Sequence, residues 1–275
     1  VSKLYNQEDV LFNSKSLNYL TFKNGKQTST CFSIFSAILM LVITFLLSMY
    51  FSLLFTSSKY LLILTTPLTI LIVVLISSLL VNLDYKESFK LKKFSLKKFI
   101  KIFIIYMCAY ILTNYIMIAV TKIFPSIVED YSLLEKFLTI DNIVLSVILT
   151  ALAPAVAEEL LFRGVVYNSV NKKYGYLLAI ILSALSFGIF HMNWMQGIYA
   201  SLLGLVLGYS YYKSGSLFVP IIIHFINNSF AVFSEYYNFL DFTIPTFGHI
   251  ILIISSIFII FSLLFILEKK SVTKV

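Results

Sequence analysis

Charge is scarce in this sequence. Asp, Glu, Lys and Arg make up 12% of its 275 residues, whereas a soluble domain carries roughly 25%. Hydrophobic residues supply 59%, and mean hydropathy is +0.92. Water cannot solvate that much apolar surface, so the composition excludes a soluble globular fold and calls for a bilayer. Cysteine is limited to Cys31 and Cys108, with no CxxC spacing, which excludes a disulfide framework and a cysteine metal site. Both lie at or inside apolar stretches and read as small buried hydrophobes. No polar stretch is long enough to fold as a separate soluble domain. No hydrophobic core of a signal peptide precedes Cys31, so no cleaved signal peptide is expected.

What the sequence does have is a series of long apolar runs. A helix needs roughly 20 apolar residues to cross the hydrocarbon, and eight candidates are present: Cys31 to Phe55, Tyr60 to Val81, Phe99 to Phe124, Asn142 to Tyr167, Tyr176 to Met192, Gln196 to Tyr212, Leu217 to Tyr236 and Phe247 to Leu267. The runs are too long and unbroken for period-two barrel strands. The expected fold is all-α, a polytopic membrane bundle of about eight transmembrane helices. Residues 1–30 read as a cytoplasmic segment, 31–267 as one transmembrane domain with a core of about 142–236, and 268–275 as a cytoplasmic tail.

The net charge of +8 points to a lipid surface, not to nucleic acid, because the lysines gather at segment ends. With a cytoplasmic N-terminus, the inner loops hold Lys3, Lys15, Lys23, Lys26, the cluster Lys86, Lys90, Lys92, Lys93, Lys97, Lys98 and Lys101, then Lys172, Lys173, Lys213, Lys269, Lys270 and Lys274. Only Lys59, Lys122 and Lys136 fall outside, with Glu129, Asp130, Glu135 and Asp141. The bias predicts a multi-pass plasma-membrane protein with both termini cytoplasmic. The basic stretch Phe89 to Ile102 reads as a loop and helix entry near anionic lipid.

Intramembrane charges are expensive and usually functional. The fourth apolar run holds Glu158-Glu159-Leu160-Leu161-Phe162-Arg163, an EExxxR pattern. Glu159 and Arg163 are four apart and share a helix face, which suits a buried ion pair. Glu158 points about 100° away and needs a wet cavity or another polar group. The fifth run ends in Phe187…His191, and the seventh carries His224…Asn228 on one face. Asn193 and Asn227 add polarity at spacings that assign no role. Each piece has a structural explanation taken singly: an ion pair, a hydrogen-bonded core histidine, an interhelical staple. Together, Glu158, His191, His224 and Asn228 require a shared cavity between three helices. Pro154, one turn before Glu158, is expected to bend its helix and free a backbone carbonyl. His249 and Trp194 read as interfacial residues.

EExxxR, FxxxH and HxxxN, in that order on successive apolar helices, resemble the three-motif signature of the CAAX-protease and bacteriocin-processing (CPBP, or Abi) family of intramembrane endopeptidases. The resemblance implies hydrolysis of a peptide bond in or beside the membrane. It implies that Glu158 activates a water which His191 helps hold. His224 and Asn228 would stabilise the oxyanion, a contribution often worth roughly 3–4 kcal/mol per donor, and Glu159, Arg163 and Phe187 would support them. The substrate would be a peptide or protein tail, by CAAX-type processing, bacteriocin or peptide maturation, or self-immunity. The Ile-, Phe-, Lys- and Asn-rich composition resembles a bacterial protein, which favours the latter roles.

No cofactor is required on this reading, although Glu158, His191 and His224 could together hold Zn²⁺; the HExxH spacing is absent. Two other classes stay open: a proton-coupled transporter using the same polar cluster, although no internal repeat is visible, and a catalytically silent immunity or scaffold protein. Counted along straight helices, Glu158 and His224 fall toward one half of the bilayer and His191 toward the other. They meet only if the fifth segment tilts, breaks near Gly188 or is not a full span.

Overall fold

The structure is a computed structural model describing residues 20–23, 26–128, 140–237 and 246–272. Lys3, Lys15, Glu129, Asp130, Glu135, Lys136 and Lys274 lie outside the described residues. Two short strands, β1 (Leu20–Lys23) and β2 (Lys26–Ser29), pair antiparallel ahead of the helices. The helix-only expectation did not include this hairpin. Ser29 ties it to the bundle: its N–H donates to Asn82 O and its carbonyl accepts from Asp84 N.

The rest is helical. In order come α1 (Ile34–Leu54), α2 (Lys59–Leu80), the single turn α3 (Tyr85–Ser88), α4 (Leu96–Ile123), α5 (Ile143–Tyr174), α6 (Tyr176–Phe190), α7 (Trp194–Ser214), α8 (Phe218–Tyr237) and α9 (Thr246–Val272). Each long helix matches one of the eight apolar runs. α1, α2, α4, α5 and α8 are long and apolar enough to cross a membrane by length and composition. α6 is apolar but shorter, and α9 holds a short apolar stretch, Gly248–Leu264. Several starts follow from capping: Ser33, Ser58, Asn142 and Asn193 each accept a backbone N–H three residues on, satisfying a donor the helix cannot satisfy itself.

α5 differs most from its expected bounds. It runs to Tyr174, seven residues past the apolar limit at Tyr167, because Asn168–Tyr174 continues the helix until Gly175 adopts φ 86°. It is also not uniformly α-helical. Two π-helical stretches, Val147–Leu152 and Leu160–Tyr167, flank the α-helical Ala153–Glu159. Such wide turns favour functional sites, and these two bracket the glutamates.

α6 settles the depth problem. It has 15 residues and stops at Phe190, with His191 as its C-cap; at 1.5 Å per residue that is about 22 Å, well short of a ~30 Å hydrocarbon layer. Met192, at φ 55°, and Asn193 turn the chain directly into α7. The segment expected to reach Met192 as a span is therefore a short helix, and its end lies beside the catalytic candidates.

α6 and α7 pack closely because small residues face each other. A Cβ on Gly204 would sit 2.9 Å from Ala184 Cα, and one on Gly188 would collide with Ser201 Oγ and the Gly197 carbonyl oxygen. The hydroxyl can turn away but the backbone carbonyl cannot. Gly188→Ala is therefore expected to destabilise the protein by about 1–3 kcal/mol, read as a lower unfolding temperature of the purified protein in detergent.

The basic stretch after α3 is anchored to the bundle at its start. Phe89 is 2% exposed, and its ring occupies the space where a side chain on Gly164 would be. Ser88 O accepts from Asn168 Nδ2 at 2.7 Å, Lys90 O from Leu217 N at 3.3 Å, and Lys92 O from Ser216 Oγ at 2.6 Å. Lys90 lies 4.8 Å over the Tyr211 ring. Burial, and then the neighbouring Lys92, hold its ammonium below the usual lysine range. Lys92, Lys93, Lys97 and Lys98 stay exposed.

Candidate active site

The site is built on α5. Glu159 and Arg163 are both fully buried, and Arg163 Nη1 donates to Glu159 Oε1 at 2.8 Å. Arg163 Nη2 donates to the Gly204 carbonyl of α7 at 3.0 Å. Its guanidinium lies 4.9 Å from the Phe187 ring centroid on α6, within cation–π range. One side chain thus ties three helices together. Glu159 Oε2 and Arg163 Nε have no hydrogen-bond partner among the described residues.

His224, on α8 and 2% exposed, stands between both glutamates. Its Nδ1 is 2.9 Å from Glu159 Oε1. A carboxylate only accepts, so Nδ1 carries the proton and donates. The other ring nitrogen, Nε2, lies 3.7 Å from Glu158 Oε2. Glu158 itself is 8% exposed. The polar neighbour that its position on α5 demanded is therefore His224.

His191 reaches the cluster through an aromatic ring. Phe187 meets His191 edge-on at 4.9 Å and His224 at 5.5 Å between ring centroids. His191 Nδ1 is 2.9 Å from Phe187 O; a carbonyl accepts, so this nitrogen also donates. In the neutral ring, Nε2 is then an acceptor. No hydrogen bond or ion pair joins His191 to Glu158 or His224 among the described residues.

Asn228 Nδ2 donates to Thr150 O on α5 at 3.5 Å. Thr150 lies four residues before Pro154, which has no N–H to return to that carbonyl. Asn227, unassigned by spacing, proves central: its Oδ1 accepts from Tyr106 OH at 3.2 Å and Tyr199 OH at 2.8 Å, and its Nδ2 donates to Asn228 Oδ1 at 3.3 Å. Tyr106, Tyr199 and the Gly204 carbonyl carry no sequence signal of their own. A narrow crevice, lined by Tyr106, Tyr110, Thr113, Tyr199, Leu203 and Asn227, opens beside this group.

Among the described residues no three His, Cys, Asp or Glu side chains are grouped to hold a metal ion. His224 directs both nitrogens toward carboxylates, and His191 turns Nδ1 to its own helix. Of the residues expected to meet, Glu158, Glu159, Arg163, Phe187 and His224 form one contact network. His191 joins it through Phe187, and Asn228 borders it through α5. His249 lies apart, bonded to Tyr115 OH through Nδ1 at 2.6 Å, and Trp194 is 77% exposed.

A membrane-embedded helical bundle with a buried carboxylate–imidazole cluster is the class these features define. Residues 140–230 match the family described as "Type II CAAX prenyl endopeptidase Rce1-like", about a third of the chain, and all three motifs fall inside that range. Among curated proteins, the chain is 24% identical over 96 residues to "Putative membrane peptidase YdiL" of Bacillus subtilis (strain 168), covering 35% of this chain and 39% of that protein. It is 33% identical over 108 residues to "Uncharacterized protein YpbD" of the same organism, covering 39% of this chain and 55% of that protein. The aligned parts are therefore between two fifths and just over half of those relatives. No solved structure matches. Residues 140–230, with the three ordered motifs, are thus similar to the CAAX endopeptidase family and to a membrane peptidase of Bacillus subtilis.

Proposed function

We propose that this protein is an intramembrane endopeptidase in which Glu158 activates a water for attack on a peptide carbonyl. The observation that carries the reading is the 3.7 Å separation of Glu158 Oε2 and His224 Nε2, with the other His224 nitrogen held by Glu159. That gap is too long for a direct hydrogen bond, but it leaves both atoms within reach of one water. Glu158 takes a proton from the water as its oxygen bonds to the carbonyl carbon. His191, with Nδ1 committed to Phe187 O, offers Nε2 to the water's other hydrogen. Charge then gathers on the carbonyl oxygen. Asn228, through the second N–H of its amide, and His224, when both ring nitrogens carry protons, are the donors for that oxyanion. When the C–N bond breaks, Glu158 passes its proton to the leaving amine.

Glu159 and Arg163 hold His224 and α5 in place for these steps. No step in this scheme runs through a metal ion. The substrate is a peptide or the tail of a membrane-associated protein. The CAAX endopeptidase description of the matching family supports tail processing, and the name of one relative, a putative membrane peptidase, supports peptide hydrolysis at the membrane; peptide maturation or self-immunity rests on the motif resemblance and the composition. The lysine bias supports a plasma-membrane location with both termini in the cytoplasm and a site reached from that side.

The test compares protein and peptide termini by mass spectrometry in cells carrying the wild-type chain, Glu158→Ala or His191→Ala. Termini unique to the wild type and lost in both variants are expected; identical termini in all three would sink the protease reading. With the purified protein and a peptide so identified, EDTA and 1,10-phenanthroline are expected to leave cleavage unchanged. Loss that Zn²⁺ restores would replace direct water activation with metal-assisted hydrolysis.

A further inference from the structure

We propose that Asn227 is a positioning residue that sets which end of the Asn228 amide faces the substrate; this rests on the endopeptidase reading above. The two ends of an asparagine side chain are nearly the same shape but opposite in chemistry, since the oxygen accepts and the nitrogen donates. An oxyanion site needs the nitrogen. Asn228 alone, half-buried on α8, has no intrinsic preference for that orientation.

The surrounding residues supply one. Tyr106 from α4 and Tyr199 from α7 both donate their hydroxyls to Asn227 Oδ1, at 3.2 and 2.8 Å. Tyr106 is 2% and Asn227 4% exposed, so water competes little for these bonds. With its oxygen fixed between two donors, Asn227 turns its nitrogen to Asn228 Oδ1 at 3.3 Å. On the other side of Asn228 stands the Thr150 carbonyl, 3.5 Å from Nδ2. Reversing Asn228 would set nitrogen against nitrogen at Asn227 and oxygen against oxygen at Thr150. Both neighbours therefore select the same orientation, in which the Asn228 nitrogen is the end presented. Two tyrosines on separate helices thus act through Asn227 on Asn228.

The test is a double-mutant cycle on a cleavable peptide, using full-length protein in detergent. Asn227→Leu keeps approximate volume and removes both polar ends. Alone, it is expected to lower kcat about tenfold to a hundredfold with KM unchanged, in the range that misplacing a reacting group costs. In an Asn228→Ala background, where no amide is left to orient, it is expected to change kcat by less than about twofold, because coupled residues are not additive. The pair Tyr106→Phe with Tyr199→Phe, which removes two hydroxyls and adds nothing, should reproduce the pattern if Asn227→Leu folds poorly. An equal loss in both backgrounds means a general structural role and overturns the proposal, as does no loss in the first. A wild-type protein that cleaves nothing overturns the endopeptidase reading and this inference together, whereas normal wild-type cleavage with an additive cycle overturns this inference alone.

Discussion

Glu158→Gln is expected to cut peptide cleavage by about 10²- to 10⁴-fold, the range contributed by a positioned general base. The variant should fold normally. Glutamine matches glutamate in size, and at this position the partner His224 Nε2 is 3.7 Å away and not in a tight bond. An amide cannot take a proton from water, so the loss falls on kcat while peptide binding persists. The measurement is steady-state kinetics on the purified pair of proteins, with unfolding temperatures recorded beside them. Unchanged kcat in a well-folded Glu158→Gln protein would remove the carboxylate from the reaction.

Arg163→Met is expected to act through stability instead. Methionine fills much of the arginine volume but leaves Glu159 buried without its cation and the Gly204 carbonyl without its donor. Breaking a buried pair by removing one partner costs about 3–5 kcal/mol, because the remaining charge is uncompensated. The unfolding temperature should fall sharply, and cleavage with it, as His224 loses a well-held Glu159. The double variant Glu159→Gln with Arg163→Met should recover part of the lost stability, since no charge is then left alone. Equal unfolding temperatures for wild type and Arg163→Met would mean that the pair contributes little to the fold.

Much of this arrangement could be read from the residues alone because a bilayer penalises charge so heavily. Glu158, Glu159, Arg163, His191 and His224 stand out against apolar neighbours, and helical spacing alone predicts the Glu159–Arg163 pair that the structure contains. The helix series was legible for the same reason. Other features gave no such signal. Tyr106 and Tyr199 are two of 18 tyrosines, and nothing local distinguishes a tyrosine that holds Asn227 from one that faces lipid. The placement of His224 between both carboxylates depends on how α8 packs on α5, which spacing within one helix does not report. The extension of α5 past Tyr167 was hidden by polar residues that read as a loop. The anchoring of Phe89 and Lys90 was hidden by surrounding lysines that suggest only a loop near anionic lipid.

The shortness of α6 has a consequence for the lipid around it. A stretch of about 22 Å cannot match a hydrocarbon slab of about 30 Å, and the tight corner into α7 gives the chain no slack to make up the difference. Such a mismatch is relieved by thinning of the bilayer along that flank, by snorkelling of flanking side chains or by association with another helix. Trp194, with its indole largely uncovered at the corner, suits such a depressed boundary. Where the bilayer thins, the distance that water and a polar polypeptide backbone must travel to reach the end of α6, where His191 stands, would be shorter.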